Sequence, residues 1–281
     1  MKNLEMIWKG FIVGSSMSVP GVSGGTMAIL LGIYQKLIGC ISHFFSDVKG
    51  NLVCLGKFCL GSVVGIGTLA FVIQWLLDTV PIPVSFLFLG AVIGGIPALY
   101  RETKQDSFGW STAVFAFLGM VIVIGLGFLP TDAISFGAPT GWKSLVMCLF
   151  AGVIIAIALV LPGISTSHML IVLGLYDATL KAITEFDIVF LIALAVFTLL
   201  GVILITKPLE WTMTRFPQKT YSMILGFVIG SVFEIFRDIV LPAIPDSASP
   251  LWWVLSVVIA VAAFLLGMWA IAALSKVSGQ E

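Results

Sequence analysis

One phrase of this sequence is written twice. Residues 20–34 read PGVSGGTMAILLGIY and residues 162–176 read PGISTSHMLIVLGLY. The copies are identical at Pro20/Pro162, Gly21/Gly163, Ser23/Ser165, Met27/Met169, Ile29/Ile171, Leu31/Leu173, Gly32/Gly174 and Tyr34/Tyr176. Each copy is a Pro-Gly-Ser break inside otherwise apolar, helix-forming sequence. The surroundings make such a break costly. The chain is 59% apolar and 10% charged, whereas a soluble domain carries about a quarter charged residues. Its polar surface is too small to cover a water-soluble body, so the chain reads as an integral membrane protein. In lipid, non-helical backbone persists only where it is buried in protein or lines a cavity. Two breaks at matching positions of two halves therefore point to a transporter's binding site.

Composition excludes several alternatives. A net charge of zero argues against a nucleic-acid partner, which calls for a basic face. Cys40, Cys54, Cys59 and Cys148 sit in dissimilar surroundings without a paired metal spacing, and read as small apolar side chains. His43 and His168 are the only histidines, too few for a His-based metal centre. No metal and no cofactor are expected. Glu5 and Lys9 interrupt the first apolar stretch and no small-x-small site follows, so a cleavable signal peptide is not expected.

A helix needs roughly 20 apolar residues to cross the hydrocarbon layer. Six stretches qualify, at about 58–77, 84–100, 111–129, 188–206, 220–236 and 252–274. The two breaks are flanked by shorter arms, giving hairpins over about 4–42 and 145–183. The likeness between halves extends past the motif. Trp75, Pro81, Leu89, Gly90, Val92, Ile93, Gly94 and Arg101 recur 136 residues later as Trp211, Pro217, Leu225, Gly226, Val228, Ile229, Gly230 and Arg237. The chain divides into repeats 1–140 and 141–281, each a broken element followed by three spans.

Charge decides how the broken elements lie, because cytoplasmic loops gather Lys and Arg. If each hairpin dips in and returns, eleven of the fourteen basic residues fall on one side and Lys143, Lys181 and Arg237 on the other. If each crosses, the fourteen split evenly and the bias vanishes. The expectation is an all-α polytopic membrane protein of two inverted-topology repeats. Each repeat is a re-entrant helical hairpin plus three transmembrane helices, and both termini are cytoplasmic.

Inversion about an axis in the membrane plane brings the two hairpin tips together near the midplane. Pro20 and Pro162 end the incoming helices, since the ring clashes with the preceding turn. Gly21 and Gly163 permit backbone angles that other residues avoid. Ser23 and Ser165 are suited to cap the outgoing helices, whose free amides favour an anion, phosphate above all. Gly24, Gly25 and Thr26 in one copy, and Thr166, Ser167 and His168 in the other, let an anion approach and add donors. His168 reads almost equally as a structural histidine. Tyr34 and Tyr176 are expected to anchor helix ends at an interface.

Few other polar groups fall at membrane depth. Glu234 is an ionisable residue within a span and hence a functional candidate. It could accept a coupling proton or pair with Arg237. Arg101 and Arg237 stand at matching helix ends as interfacial charges, and either could meet a lipid phosphate. A coupling ion, H+ or Na+, is open, and so is the oligomeric state.

The motifs PGVSGGT and PGISTS, each followed by GIY or GLY, resemble those of the polyprenyl-phosphate transporter family, long known only as a domain of unknown function. The likeness covers essentially the whole chain, and SMSVPGVSGGT over 16–26 is its most specific part. It implies a flippase that returns undecaprenyl phosphate from the outer to the inner leaflet of the bacterial cytoplasmic membrane. That step recycles the carrier lipid for peptidoglycan and other cell-envelope polymers. A more distant likeness is to undecaprenyl-pyrophosphate phosphatases, which carry PGxSRS in re-entrant hairpins. Here Thr166 and Gly24 stand where their arginine does, and Glu5 is alone where they have a glutamate-rich ExxxE. Cleaving a phosphoryl group needs groups that stabilise its developing charge, so the residues favour binding over cleavage and a non-enzyme. A lipid-pyrophosphate phosphatase and a carrier of a small soluble anion remain the alternatives. The lack of a polar stripe leading to water favours a lipid.

Overall fold

The computed structural model describes residues 2–19, 22–103, 109–130, 142–245 and 249–277. Every regular element among them is helical. The chain enters as α1 (Lys2–Ser16), breaks, and resumes as the short helices α2 (Gly24–Leu30) and α3 (Tyr34–Ser42). The long helices α4 (Val48–Thr79), α5 (Pro81–Glu102) and α6 (Trp110–Gly127) follow. The same order then recurs as α7 (Trp142–Val160), α8 (Thr166–Val172), α9 (Tyr176–Thr184), α10 (Ile188–Arg215), α11 (Pro217–Ile235) and α12 (Pro250–Val277). Pro81 and Pro217 each open a helix at its first position, where a missing N–H costs nothing.

This is a multi-pass membrane protein. Among the described residues, five helices (α4, α5, α6, α10 and α12) are long and apolar enough to cross a bilayer, or six if α2 and α3 count as one broken span. At 1.5 Å per residue, the 32 residues of α4 exceed the hydrocarbon thickness and reach past the expected 58–77. The expected span 220–236 is helical as α11 but is not one of the five. α11 carries Gln218, Lys219 and Glu234, and most of its inner length is buried by other helices rather than offered to lipid. Outward faces are strongly apolar: Phe71 is 84% and Val189 79% exposed. Such exposure in water would drive aggregation; here it meets acyl chains.

Small residues set the helix pairing, as expected where lipid removes the hydrophobic drive between helices. Gly10 and Gly14 of α1 lie against the backbone of Phe58 and Ser62 on α4. Gly61 and Gly65 of α4 lie in turn against Ile7 and Phe11, and the Ser62 hydroxyl donates to the Gly10 carbonyl at 3.1 Å. α10 packs on α7 in the same way within the second half, with Gly152 against Phe197 and Gly201 against Val153, while the other long helices pair across the chain. α5 packs on α12 through Gly90 and Gly267, and α6 on α11 through Gly119 and Gly226.

The outgoing arm of each break is not one continuous helix. Each arm is two helices separated by Gly32 (φ +67°) or Gly174 (φ +65°). The Ile33 N–H reaches back to the Ala28 carbonyl at 2.9 Å and the Gly32 N–H to Ile29 at 2.8 Å; Leu175 to Leu170 and Gly174 to Ile171 repeat this at 2.8 and 2.9 Å. These are Schellman closures, which a glycine in the left-handed region makes at low cost. The axis turns by 115° between α2 and α3.

A methyl group on Gly61 would stand 1.9 Å from the Ile7 carbonyl oxygen, whereas one on Gly67 meets nothing within 4 Å. Gly61→Ala is therefore expected to destabilise the detergent-solubilised protein by about 1–3 kcal/mol. Gly67→Ala is expected to leave it unchanged or slightly stabler. Thermal unfolding of both variants checks the pairing, and equal midpoints would refute it.

Candidate functional site

The structure brings the two breaks into contact. Ser23 caps α2, its side chain accepting the Thr26 N–H at 3.3 Å, and Ser165 caps α8 in the same way from His168 at 3.3 Å. At the second break α7 ends at Val160, two residues before Pro162. Gly163 follows with φ +82°, and its N–H donates to both Ser23 Oγ (3.2 Å) and Thr26 Oγ1 (2.9 Å) of the first break. Any side chain on Gly163 would strike the Phe227 carbonyl, and one on Gly25 would press on the Pro162 backbone. The matching residues Pro20 and Gly21 lie outside the described residues.

The remaining loose ends of the second break are tied off nearby. The Tyr34 hydroxyl donates to the Val160 carbonyl at 2.7 Å. Tyr34 is 5% exposed, so it fastens the end of α7 instead of anchoring at an interface. The turn does not set this, since Gly174 makes the same closure before Tyr176; Tyr34 is buried because it packs against the end of α7. Tyr176, its counterpart, is exposed.

The two copies are unequal in access. Ser23, Gly25 and Thr26 are buried and Gly24 half-buried; Ser165, Thr166 and His168 are half-buried and Ser167 exposed. The open copy faces the C-terminal end of α6. His168 Nε2 lies 3.2 Å from the Leu126 carbonyl. A Cβ on Gly127 would stand 2.6 Å from Glu234 Oε1 and 3.3 Å from both terminal nitrogens of Arg237. The guanidinium of Arg237 sits over the Phe128 ring at 4.8 Å. Leu126 and Gly127 at the end of α6, with Phe128 that follows, thus gather His168, Glu234 and Arg237 beside the second break. Arg237 occupies a π-helical turn, Phe236–Val240, that extends α11; such turns are frequent at functional sites.

Arg237 pairs with the adjacent Asp238, Nε to Oδ1 at 2.6 Å and Nη2 to Oδ2 at 3.0 Å. The pairing with Glu234 that the sequence leaves open is not the one formed. Nη1 of Arg237 is buried and has no hydrogen-bond partner, a cationic donor left unused. Arg101, by contrast, is exposed at the end of α5 and is not part of this gathering. Glu5 has no second glutamate one turn on; that position is the buried Lys9, with which it pairs at 2.8 Å. Among the described residues no cluster of side chains suits a metal ion. Gly127 and Phe128, against which the acid and the base lie, carry no motif by which the sequence could single them out.

The fold and its paired breaks define a class: a polytopic membrane protein with two interrupted helices meeting at a polar junction. The chain belongs to the undecaprenyl phosphate translocase-like family, whose model matches residues 13–249. It is 33% identical over 272 residues to a polyprenyl-phosphate transporter of Staphylococcus aureus, covering 93% of this chain and 94% of that one. A polyprenyl-phosphate transporter of Vibrio cholerae is 28% identical over 257 residues, covering 84% and 78%. Both relatives are named as transporters, in agreement with the reading of this chain as a non-enzyme. No solved structure matches the chain significantly.

The Thr26 hydroxyl is the shorter of the two acceptors for the Gly163 amide. Thr26→Val leaves a buried N–H poorly satisfied and is expected to cost about 1–3 kcal/mol, while Thr26→Ser keeps the acceptor. Thermal unfolding that ranks the two variants equally would count against the junction.

Proposed function

We propose that this chain carries polyprenyl phosphate across the bacterial cytoplasmic membrane, returning the carrier lipid to the inner leaflet for cell-envelope synthesis. The observation that carries this reading is the junction itself. Two breaks from matching halves touch through Gly163, Ser23 and Thr26, beside an arginine with an unused buried donor. The names of the two relatives supply the substrate class. In this reading repeats 1–140 and 141–281 are inverted, both hairpins are re-entrant, and the termini are cytoplasmic.

The phosphate headgroup is bound on the open side of the junction, at Ser165, Thr166, Ser167 and His168, with Arg237 donating through Nη1. Ser23, Gly24, Gly25 and Thr26 act from the other side, and join the headgroup when the junction opens. The contact from Gly163 then serves as the closed gate: breaking two hydrogen bonds frees two hydroxyls and an amide for phosphate oxygens. Rocking of one repeat against the other exposes the site to each leaflet in turn. The isoprenoid tail stays in lipid throughout.

Labelled polyprenyl phosphate in proteoliposomes tests the site. A charged hydrogen bond is worth roughly 1.5–3 kcal/mol, so Arg237→Gln with Ser167→Ala is expected to slow translocation about tenfold or more in folded protein. Undiminished translocation would overturn the assignment. Glu234, beside that arginine, disfavours a phosphate while it is ionised, which makes it the candidate for proton coupling. Glu234→Gln is expected to make the rate indifferent to a pH gradient, and a variant that still responds as the parent does would remove that role.

A further inference from the structure

A second feature lies on the other side of Gly163. Between α6, α10 and α11 there is a cleft of about 410 Å³. One end is formed by Leu161 and Phe227, the residues that flank and cover the Pro162–Gly163 break. At the other end stands Lys219, with Phe115 and Phe216 beside it. From Lys219 to Phe227 the cleft follows two turns of α11, about 12 Å at the helical rise. α6 and α10 both pack against α11 but make no extended contact with each other among the described residues, and this gap is the cleft.

Its lining is apolar apart from Lys219 and the threonines Thr212 and Thr220 at the same end. The Lys219 ammonium lies 5.6 Å from the Phe115 ring centre and 5.8 Å from that of Phe216. Among the described residues no carboxylate pairs with it. A cation held over rings keeps its attraction for an anion while its stem covers apolar surface. The equivalent positions in the first half, 136 residues earlier, are Pro83 for Lys219, Leu76 for Thr212 and Val84 for Thr220. The polar end exists in one half only, so it is not a by-product of duplication.

We propose that this cleft seats a single-tailed isoprenoid phosphate on the leaflet facing the α10–α11 turn, with the phosphate on Lys219 and the first isoprene units running up to Phe227 and Leu161. One cation at the mouth of a narrow apolar slot complements an amphiphile with one anionic head and one hydrocarbon tail. The slot ends against the break, so a lipid leaving the junction enters it tail-alongside without crossing a polar surface. With the charge bias placing Lys219 on the cytoplasmic side, the cleft is the inner-leaflet station of the route. This rests on the transport reading above and adds a binding site to it.

The test uses the full chain in nanodiscs with a photoactivatable polyprenyl phosphate whose diazirine lies in the first isoprene unit. Labelling is expected on Met223 and Phe115, which line the cleft. Lys219→Gln is expected to lower it about tenfold, the scale of one charge-assisted contact, and Lys219→Arg to restore it. The same probe as a free prenol, or the diazirine on phosphatidylglycerol, is expected to label the cleft weakly. Equal labelling by either, or labelling indifferent to Lys219→Gln, overturns the proposal. If the cleft is unlabelled while Arg237→Gln with Ser167→Ala still stops translocation, the cleft falls and the transport reading stands. A chain that neither labels nor translocates polyprenyl phosphate removes both.

Discussion

A helix interrupted inside a bilayer leaves N–H and C=O groups that lipid cannot satisfy, at a cost of several kcal/mol for each group left bare. Much of the centre of this molecule follows from settling those groups internally. The Gly163 amide is taken by two hydroxyls of the opposite break. The Val160 carbonyl is taken by the Tyr34 phenol. The ends of α2 and α8 are closed by the reverse contacts around Gly32 and Gly174. Each repair draws on a residue of the doubled phrase, which explains why Pro, Gly, Ser, Gly and Tyr occur together in it. The repairs between breaks also reach from one half of the chain to the other, so satisfying the backbone and assembling the site are one event.

The two copies divide the work unequally. In the first, the hydroxyls are spent on closing the junction, and the residues around them are buried. In the second, the first turn of α8, Thr166-Ser167-His168, stays partly open, and His168 reaches the end of α6 where Glu234 and Arg237 lie. A perfectly symmetric pair of breaks would hold an anion equally from both sides. In the transport reading proposed above, the inequality gives the junction one face that locks and one that receives. Lys219 continues it, because its cation has only Pro83 as a counterpart.

Much of this was legible in the residues. The repeat located the two breaks, the cap positions Ser23 and Ser165 and the order of helices, because prolines and serines act through local geometry that needs no tertiary context. The second glycine of the phrase was visible too, but Gly32 and Gly174 within an apolar run read equally well as ordinary helix. Only the backbone angle reveals the bend. Tyr34 was assigned to an interface because aromatic residues at helix ends usually sit there, and its partner carbonyl lies 126 positions away. The gathering of His168, Glu234 and Arg237 depends on Gly127 having no side chain, a property of packing between α6 and α11 with no periodicity to betray it. Lys219 carries no sequence signal beyond its place in the charge count, and only the gap between α6 and α10 sets it at the end of an apolar slot.

The pairing of long helices carries a consequence for how the chain is made. α1 finds its partner α4 soon after synthesis, and α7 finds α10 likewise. α5, however, ends at Glu102 and its partner α12 begins only at Pro250. During insertion α5 must wait with its glycine face uncovered, as must α6 until α11 emerges. A chain cut short before α12 would therefore leave the glycine face of α5 without its partner, however well its first helices had formed.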